Sequence, residues 1–374
     1  MRVCFFTYFF PRITETFILN KITKLLDLGV DVQILAIANP RTNKAVEDRD
    51  LETITHNDID NYNLMSRVTY IPKVSGEFNF DGIEQAIDMI NPDIIHFQWS
   101  GLADHVFQQL SFDIPTITNF HEFNLPSNWR QVSSFQNIYN NSSLVLPVSN
   151  YLHQLIITDG CSPNKIITHH VGVDIQKFVP SINKTDGVLT FLTVAGLLEK
   201  KGYEDAIKVM SNLRHQGIEF RYKIIGDGVL MNILMELVST HQLTEKVTFL
   251  GKLKQEDVIT HYQSSDIFIH PSVTASDGSH EGIPTSIMEA SACELPIVST
   301  VHTGIPELVQ NNKSGYLSPE HDIDSLTRTT LKLVENKKMR QQFGKEGRGI
   351  VSSQFNINIL TSDVLDIYKK LIYK

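Results

Sequence analysis

Cysteine is scarce in this chain: Cys4, Cys161 and Cys293 are the only three, widely separated and odd in number. They supply neither a disulfide framework nor the close spacing of a metal knuckle, which points to a reducing, cytoplasmic setting. Positive charge is short too. Lys and Arg total 33 against 42 Asp and Glu, for a net charge of -9, so there is no basic field to hold nucleic acid. No apolar run reaches the roughly eighteen residues of a transmembrane helix. The apolar opening, residues 1–10, stops at Pro11-Arg12 without a small-residue cleavage site and reads as a buried strand, not a signal peptide.

Several nucleotide and metal motifs are incomplete. Ile225-Gly226-Asp227-Gly228-Val229-Leu230-Met231 begins as a dinucleotide fingerprint but has Met231 where the third glycine belongs, against a nicotinamide or flavin site. Lys201-Gly202 reverses the P-loop order. Pro284 stands where a zincin, after His280-Glu281, needs its second histidine. The D-x-D tripeptides Asp48-Arg49-Asp50, Asp58-Ile59-Asp60 and Asp322-Ile323-Asp324 lie in polar stretches and read as chance occurrences, so no metal and no organic cofactor is expected.

What is present is ordinary globular composition, 41% hydrophobic and 20% charged over 374 residues, enough for two domains. Short apolar runs at 3–9, 32–37, 94–97, 116–119, 144–148, 189–194, 221–225, 246–250, 267–269 and 297–299 alternate with helical patterns such as 15–28, 203–214 and 231–243. Such alternation means parallel sheets flanked by helices. The pattern restarts after the polar, turn-rich stretch 178–187, read as a linker. The expected organisation is two Rossmann-like domains, 1–180 and 188–355, facing across a cleft, and a helix at 356–374 that packs back on the first domain. Ligands of such sheets sit at the carboxyl ends of the strands.

The richest segment is His280-Glu281-Gly282-Ile283-Pro284-Thr285-Ser286-Ile287-Met288-Glu289-Ala290. Pro284 suits a first helical turn, Gly282 lets backbone approach a ligand, and the free N–H groups of a helix start favour phosphate. At ~1.5 Å per residue the two carboxylates are about 10–12 Å apart, the span of a sugar nucleotide. Two glutamates so spaced are ordinarily a solvated helix face, and paired carboxylates can also serve a glycosidase. A phosphate at the helix start between them favours the nucleotide sugar. Two further loops follow strands. Glu199-Lys200-Lys201-Gly202, opened by Gly196, offers a cation to a leaving diphosphate. Phe120-His121-Glu122-Phe123 puts His121 at a strand end, where it is either a sugar contact or a structural histidine.

Together these residues resemble the retaining glycosyltransferase family 4, of GT-B fold. The resemblance rests on Glu281 to Glu289, on Leu197-Leu198-Glu199-Lys200-Lys201-Gly202, and on Thr300-Val301-His302-Thr303-Gly304-Ile305-Pro306-Glu307-Leu308-Val309 with Lys313-Ser314-Gly315-Tyr316-Leu317. Val148-Ser149 and the segment Val171-Gly172-Val173-Asp174-Ile175-Gln176-Lys177-Phe178 also match. Phe10-Pro11-Arg12-Ile13-Thr14-Glu15-Thr16-Phe17-Ile18 and Pro271-Ser272-Val273-Thr274-Ala275-Ser276-Asp277-Gly278 are similar to the subgroup that builds exopolysaccharides such as colanic acid and amylovoran.

The resemblance implies roles. Glu281 would sit beside the donor hexose and Glu289 on the ribose hydroxyls. Gly282, Ile283, Pro284 and Thr285 would form the diphosphate cradle, with Lys201 holding the phosphates through bond breaking. His121 would contact the donor sugar, and Lys252 and Leu253 would lie against the base. The acceptor would meet Glu15, Thr16, His96 and Trp99. The implied activity is metal-independent transfer of a hexose from a UDP- or GDP-sugar to a surface glycan or lipid-linked oligosaccharide, with peripheral contact at the inner membrane face. A degenerate sugar-nucleotide-binding partner subunit and a GT-B epimerase or phosphorylase are the rivals. One departure stands out: Gly196 occupies the place of an arginine that usually partners the lysine on the diphosphate.

Overall fold

The computed structural model of the chain describes residues 1–12, 15–38, 57–123, 135–181 and 187–373. They divide into two compact units, Met1–Val171 with Ile357–Lys374, and Gly172–Asn356. In the first unit the order is β1 (Arg2–Phe9), α1 (Thr16–Asp27), β2 (Asp31–Ala38), α2 (Asn57–Asn61), β3 (Val68–Tyr70), α3 (Phe80–Ile90), β4 (Ile94–Phe97), α4 (Ser100–Phe107), β5 (Thr116–Phe120), α5 (Gln136–Asn141), β6 (Leu144–Pro147) and α6 (Asn150–Thr158). The second runs β7 (Leu189–Val194), α7 (Tyr203–His215), β8 (Phe220–Ile225), α8 (Met231–Thr240), β9 (Val247–Phe249), α9 (Gln255–Ser264), β10 (Ile267–His270), α10 (Thr285–Ala292), β11 (Ile297–Thr300), α11 (Ile305–Leu308), β12 (Gly315–Ser318), α12 (Ile323–Glu335) and α13 (Lys337–Gln354). Then α14 (Ile357–Ile372) returns to the first unit.

Both sheets are parallel throughout and share one winding. The strand orders are β3-β2-β1-β4-β5-β6 and β12-β11-β10-β7-β8-β9. Each reverses direction at one point, between β1 and β4 and between β7 and β10. The crevice outside the carboxyl ends of those strands is the natural ligand position. Strands covered on both faces need continuous apolar sequence, and Ile-Ile-His-Phe in β4 and Ile-Phe-Ile-His in β10 are fully buried. Each pair carries a histidine where a hydrocarbon would be expected.

In the first unit α1 turns Ile18, Ile22 and Leu25 to the sheet, and α14 adds Val364 and Tyr368 to the same core. Each such apolar side chain contributes about 1.5–3 kcal/mol on burial. The C-terminal helix thus packs on the first unit, as the sequence suggests. The passage between units falls at Val171–Gly172, ahead of the turn-rich stretch read as the linker. The reason is local: Val173 N–H donates to the Phe355 carbonyl at 2.8 Å, and the Arg348 guanidinium donates to the carbonyls of Phe178 and Ile175. Strands β3 and β12 escape the sequence reading because they are short edge strands. Among the described residues no helix is long and apolar enough to cross a membrane.

Candidate functional site

In the second unit the two loops that leave the reversal point, after β7 and after β10, are stitched together. Gly202 closes the first of them at φ +69°, and a Cβ there would lie 1.7 Å from the Pro271 carbonyl oxygen of the second. Only glycine permits that approach. Val273 N–H donates to the Lys200 carbonyl at 3.0 Å, and the Ser276 N–H and hydroxyl both donate to the Glu199 carboxylate.

This stitching brings Lys201 and Glu281 together. The ammonium donates to Glu281 Oε2 at 2.8 Å, and Lys200 Nζ stands 3.7 Å from Oε1. Burial alone would raise the Glu281 carboxyl, but the charges of Lys201 and Lys200 outweigh it and hold it down to about 2. Its Oε1 is sealed from solvent without a hydrogen bond, as are both ring nitrogens of His270 and the Ser272 hydroxyl. Burial, with Lys201 next, lowers His270 to about 3 and keeps it neutral. Buried polar atoms without partners are rare and mark places where water or ligand completes the set.

A second layer fixes the backbone of Glu281. Its N–H donates to His302 Nε2 at 3.1 Å. That nitrogen must therefore be unprotonated, so Nδ1 carries the proton and donates to Glu320 Oε1 at 2.6 Å. Glu320 also accepts from the Thr274 N–H at 2.7 Å. Next along, the Gly282 carbonyl accepts from the Thr303 hydroxyl at 3.0 Å and the Gly304 N–H at 3.2 Å. The loop 302–304 thus clamps 281–282. His302, Glu320 and His270 were not singled out from the sequence. His302 lies within a quoted motif, but nothing in one-dimensional spacing couples it to Glu281.

Helix α10 begins at Thr285. Pro284 is its N-cap, with extended backbone (φ -61°, ψ 123°), and no side chain caps the helix. Pro284 thus precedes the first turn instead of forming it, because its ψ is not helical. Glu281 lies on the loop, so a helical rise between Glu281 and Glu289 applies only from Thr285 on. Gly282 and Thr285 are half-buried and Ile283 is buried. Glu289 receives the Tyr262 hydroxyl at 2.8 Å. Burial pushes its carboxyl up to about 7, against the pull of that hydrogen bond. Tyr262 is a further residue the sequence reading missed.

The other residues singled out are placed as follows. Gly196 lies in the loop after β7, where an added Cβ would find no atom closer than the Asp227 carbonyl oxygen at 3.8 Å. Gly226 takes φ +139° and packs on the Ala195 carbonyl, where a Cβ would meet it at 1.9 Å. The fingerprint-like glycines therefore serve loop-to-loop packing. Lys252 and Leu253 follow β9, on a loop tied to Gly226 by its N–H to the Gly251 carbonyl at 2.9 Å. Of the D-x-D tripeptides, Asp322 caps α12 through the Ser325 N–H, Asp58 and Asp60 fall in α2, and Asp48-Arg49-Asp50 lies outside the described residues.

In the first unit, Glu15 precedes α1 and accepts from Arg12 at 3.0 Å. Burial raises it to about 7 although Arg12 opposes the shift. Thr16 opens the helix. Trp99 and Phe17 flank the His121 ring with centroids at 5.1 and 4.7 Å. His96 is fully buried, and its Nδ1 pairs with the Tyr368 hydroxyl of α14 at 2.6 Å.

Comparison with known proteins matches both units. A family model described as glycosyl transferases group 1 matches residues 174–349, and one described as glycosyltransferase family 4 matches residues 14–177. The putative colanic acid biosynthesis glycosyltransferase WcaL of Escherichia coli is 32% identical over 87% of this chain and 89% of its own. The amylovoran biosynthesis glycosyltransferase AmsK of Erwinia amylovora is 29% identical over 99% of this chain and 100% of its own. Among solved structures, Anabaena HepE in complex with UDP superposes with a TM-score of 0.79 over 99% of this chain and 100% of that one, at 16% identity. That likeness carries the fold, which is of the GT-B class.

Proposed function

Since this chain belongs to the glycosyl transferases of group 1 and family 4, we propose that it moves a hexose, with retention, from a nucleotide diphosphate sugar to a growing exopolysaccharide or its lipid-linked precursor. The single observation that carries this reading is the Lys201–Glu281 pair beside the uncapped start of α10. A diphosphate seated on the α10 N-terminus would meet N–H groups and the positive end of the helix dipole. Lys201 would neutralise charge as the glycosidic oxygen leaves with the phosphate. Glu281, anionic at any physiological pH, would face the positive charge that develops on the departing sugar. Retention would follow if the leaving phosphate takes the proton of the attacking acceptor hydroxyl on the same face. No metal enters this scheme.

In the first unit the His121 ring is neutral, pushed by burial down to about 3, so it would serve as a hydrogen-bonding group for a sugar hydroxyl, not as a proton donor. The names of WcaL and AmsK support a polysaccharide acceptor, and the UDP held by HepE supports a nucleotide donor. The deciding experiment incubates the full chain with EDTA, UDP-, GDP- and ADP-hexoses and membrane-extracted glycolipid. Expected is release of one nucleoside diphosphate and an α-linked product from an α-linked donor. Turnover without acceptor would point to an epimerase, dependence on inorganic phosphate to a phosphorylase, and no turnover despite nucleotide binding to a degenerate partner subunit.

A further inference from the structure

The first unit has the same winding as the second, with its own reversal point between β1 and β4. Lys21 lies on α1, only 5% exposed. Helical side chains lean toward the N-terminus of their helix, and α1 begins beyond the carboxyl end of β1. The lysine arm therefore leads back toward the reversal point. Its charge acts on three imidazoles, His96, His121 and His169, each kept neutral first by burial and next by Lys21.

No carboxylate answers this ammonium among the described residues. Burial lowers Lys21 to about 8 with no acid opposing, and Glu15, at the start of the same helix, is taken by Arg12. Sealed polar atoms without hydrogen bonds lie on the elements around it: Thr7 Oγ1 on β1, His96 Nε2 on β4, His121 Nε2 just past β5, and His169 Nδ1 beyond β6. Asn119 donates to Gln98 at 3.3 Å, and its side-chain amide also acts on the His96 ring. Their chemistry can be assigned. His96 Nδ1 is taken by the Tyr368 hydroxyl at 2.6 Å, which leaves Nε2 as its open nitrogen. His169 Nε2 donates to the Leu360 carbonyl at 2.9 Å, which leaves its Nδ1 as an acceptor suited to the Lys21 ammonium. The rest of the set is a cation, open imidazole nitrogens and a hydroxyl, with no acid among the described residues. That is the complement of a tetrahedral oxyanion. A buried charge and buried donors left unanswered destabilise the fold.

We propose that Lys21, with Thr7 and His96, forms a phosphate-binding recess in the first unit that seats a phosphate group carried by the acceptor. This rests on the transferase reading above. The test is titration of the full chain, saturated with UDP and GDP to fill the second unit, with inorganic phosphate while the histidine imidazole NMR signals are followed. Expected is saturable movement of the His96, His121 and His169 rings, absent with chloride at equal ionic strength. In Lys21→Met the phosphate affinity should fall at least tenfold, and in Lys21→Arg less than threefold. Rings that stay still in the parent, or Lys21→Met binding like the parent, overturn the proposal; the parent titration decides alone if Lys21→Met fails to fold. The source is read in transfer assays. A preference for an alkyl-diphosphate-linked sugar over a neutral alkyl glycoside, lost in Lys21→Met, assigns the phosphate to the acceptor. Equal use of both acceptors, with phosphate still bound, overturns the acceptor assignment. Donor turnover without a phosphate site sinks this inference alone, whereas a phosphate site without turnover sinks the transferase reading instead.

Discussion

Glu281 and Glu289 belong to one segment, yet their surroundings drive them apart, to about 2 and about 7. Among the described residues Glu281 is held by two ammonium groups and Glu289 by a tyrosine hydroxyl. In the proposed transferase Glu289 would hold the ribose hydroxyls, and a carboxylate accepts them more strongly than the neutral acid, so nucleotide-sugar affinity should be full above pH 7. It should weaken as pH falls through 7, up to about tenfold per unit. Glu289→Gln should flatten that slope in calorimetric titrations at pH 5.5, 7 and 8.5. The stability sign is opposite. A carboxyl raised from 4.5 to about 7 by folding contributes stability below pH 4.5 that is lost as pH rises through 7. Glu289→Gln should therefore raise the melting temperature at pH 8.5 and not at pH 4.5. Lys201→Ala strands a buried carboxylate. Its stability loss should stay under the ~3–5 kcal/mol of a broken buried pair, because Lys200 remains 3.7 Å away; donor turnover should collapse. Gly196→Arg has room at Cβ and should tighten nucleoside diphosphate binding by ~1.5–3 kcal/mol if it reaches the phosphates.

Helix α14 shows how far the elements could be read in advance. Its amphipathic pattern and its return to the first unit were legible, as were ten of the strands, because period and apolar content mark buried elements. The clamp 302–304 on 281–282 was not, since it depends on which loops face each other once the strands are ordered. Nor was the Tyr262 contact to Glu289, which joins α9 to α10. The weight of α14 can be measured. Deletion from Ile357 on would uncover the α1 face now shared with Val364 and Tyr368 and remove the hydroxyl on His96. The truncated chain should lose protection from proteolysis in residues 1–171 while residues 172–356 stay resistant.

The molecule as a whole carries two sheets, each wound the same way and each with its own apolar core. Nothing requires such a chain to unfold in one step. Calorimetry should resolve two transitions, and nucleoside diphosphate at 100 times its dissociation constant should add ~2.7 kcal/mol to one of them. A single transition that shifts as a block would show the two cores to be coupled. The return of α14 also bears on the order in which the protein is made. Translation runs from the N-terminal side, and domains usually fold as they leave the ribosome. Here the first unit emerges early but lacks its own covering helix until every residue of the second has been synthesised. The half of the molecule that is born first is thus completed last. Until then its nascent α1 surface is left for a chaperone, or for a neighbouring chain, to cover.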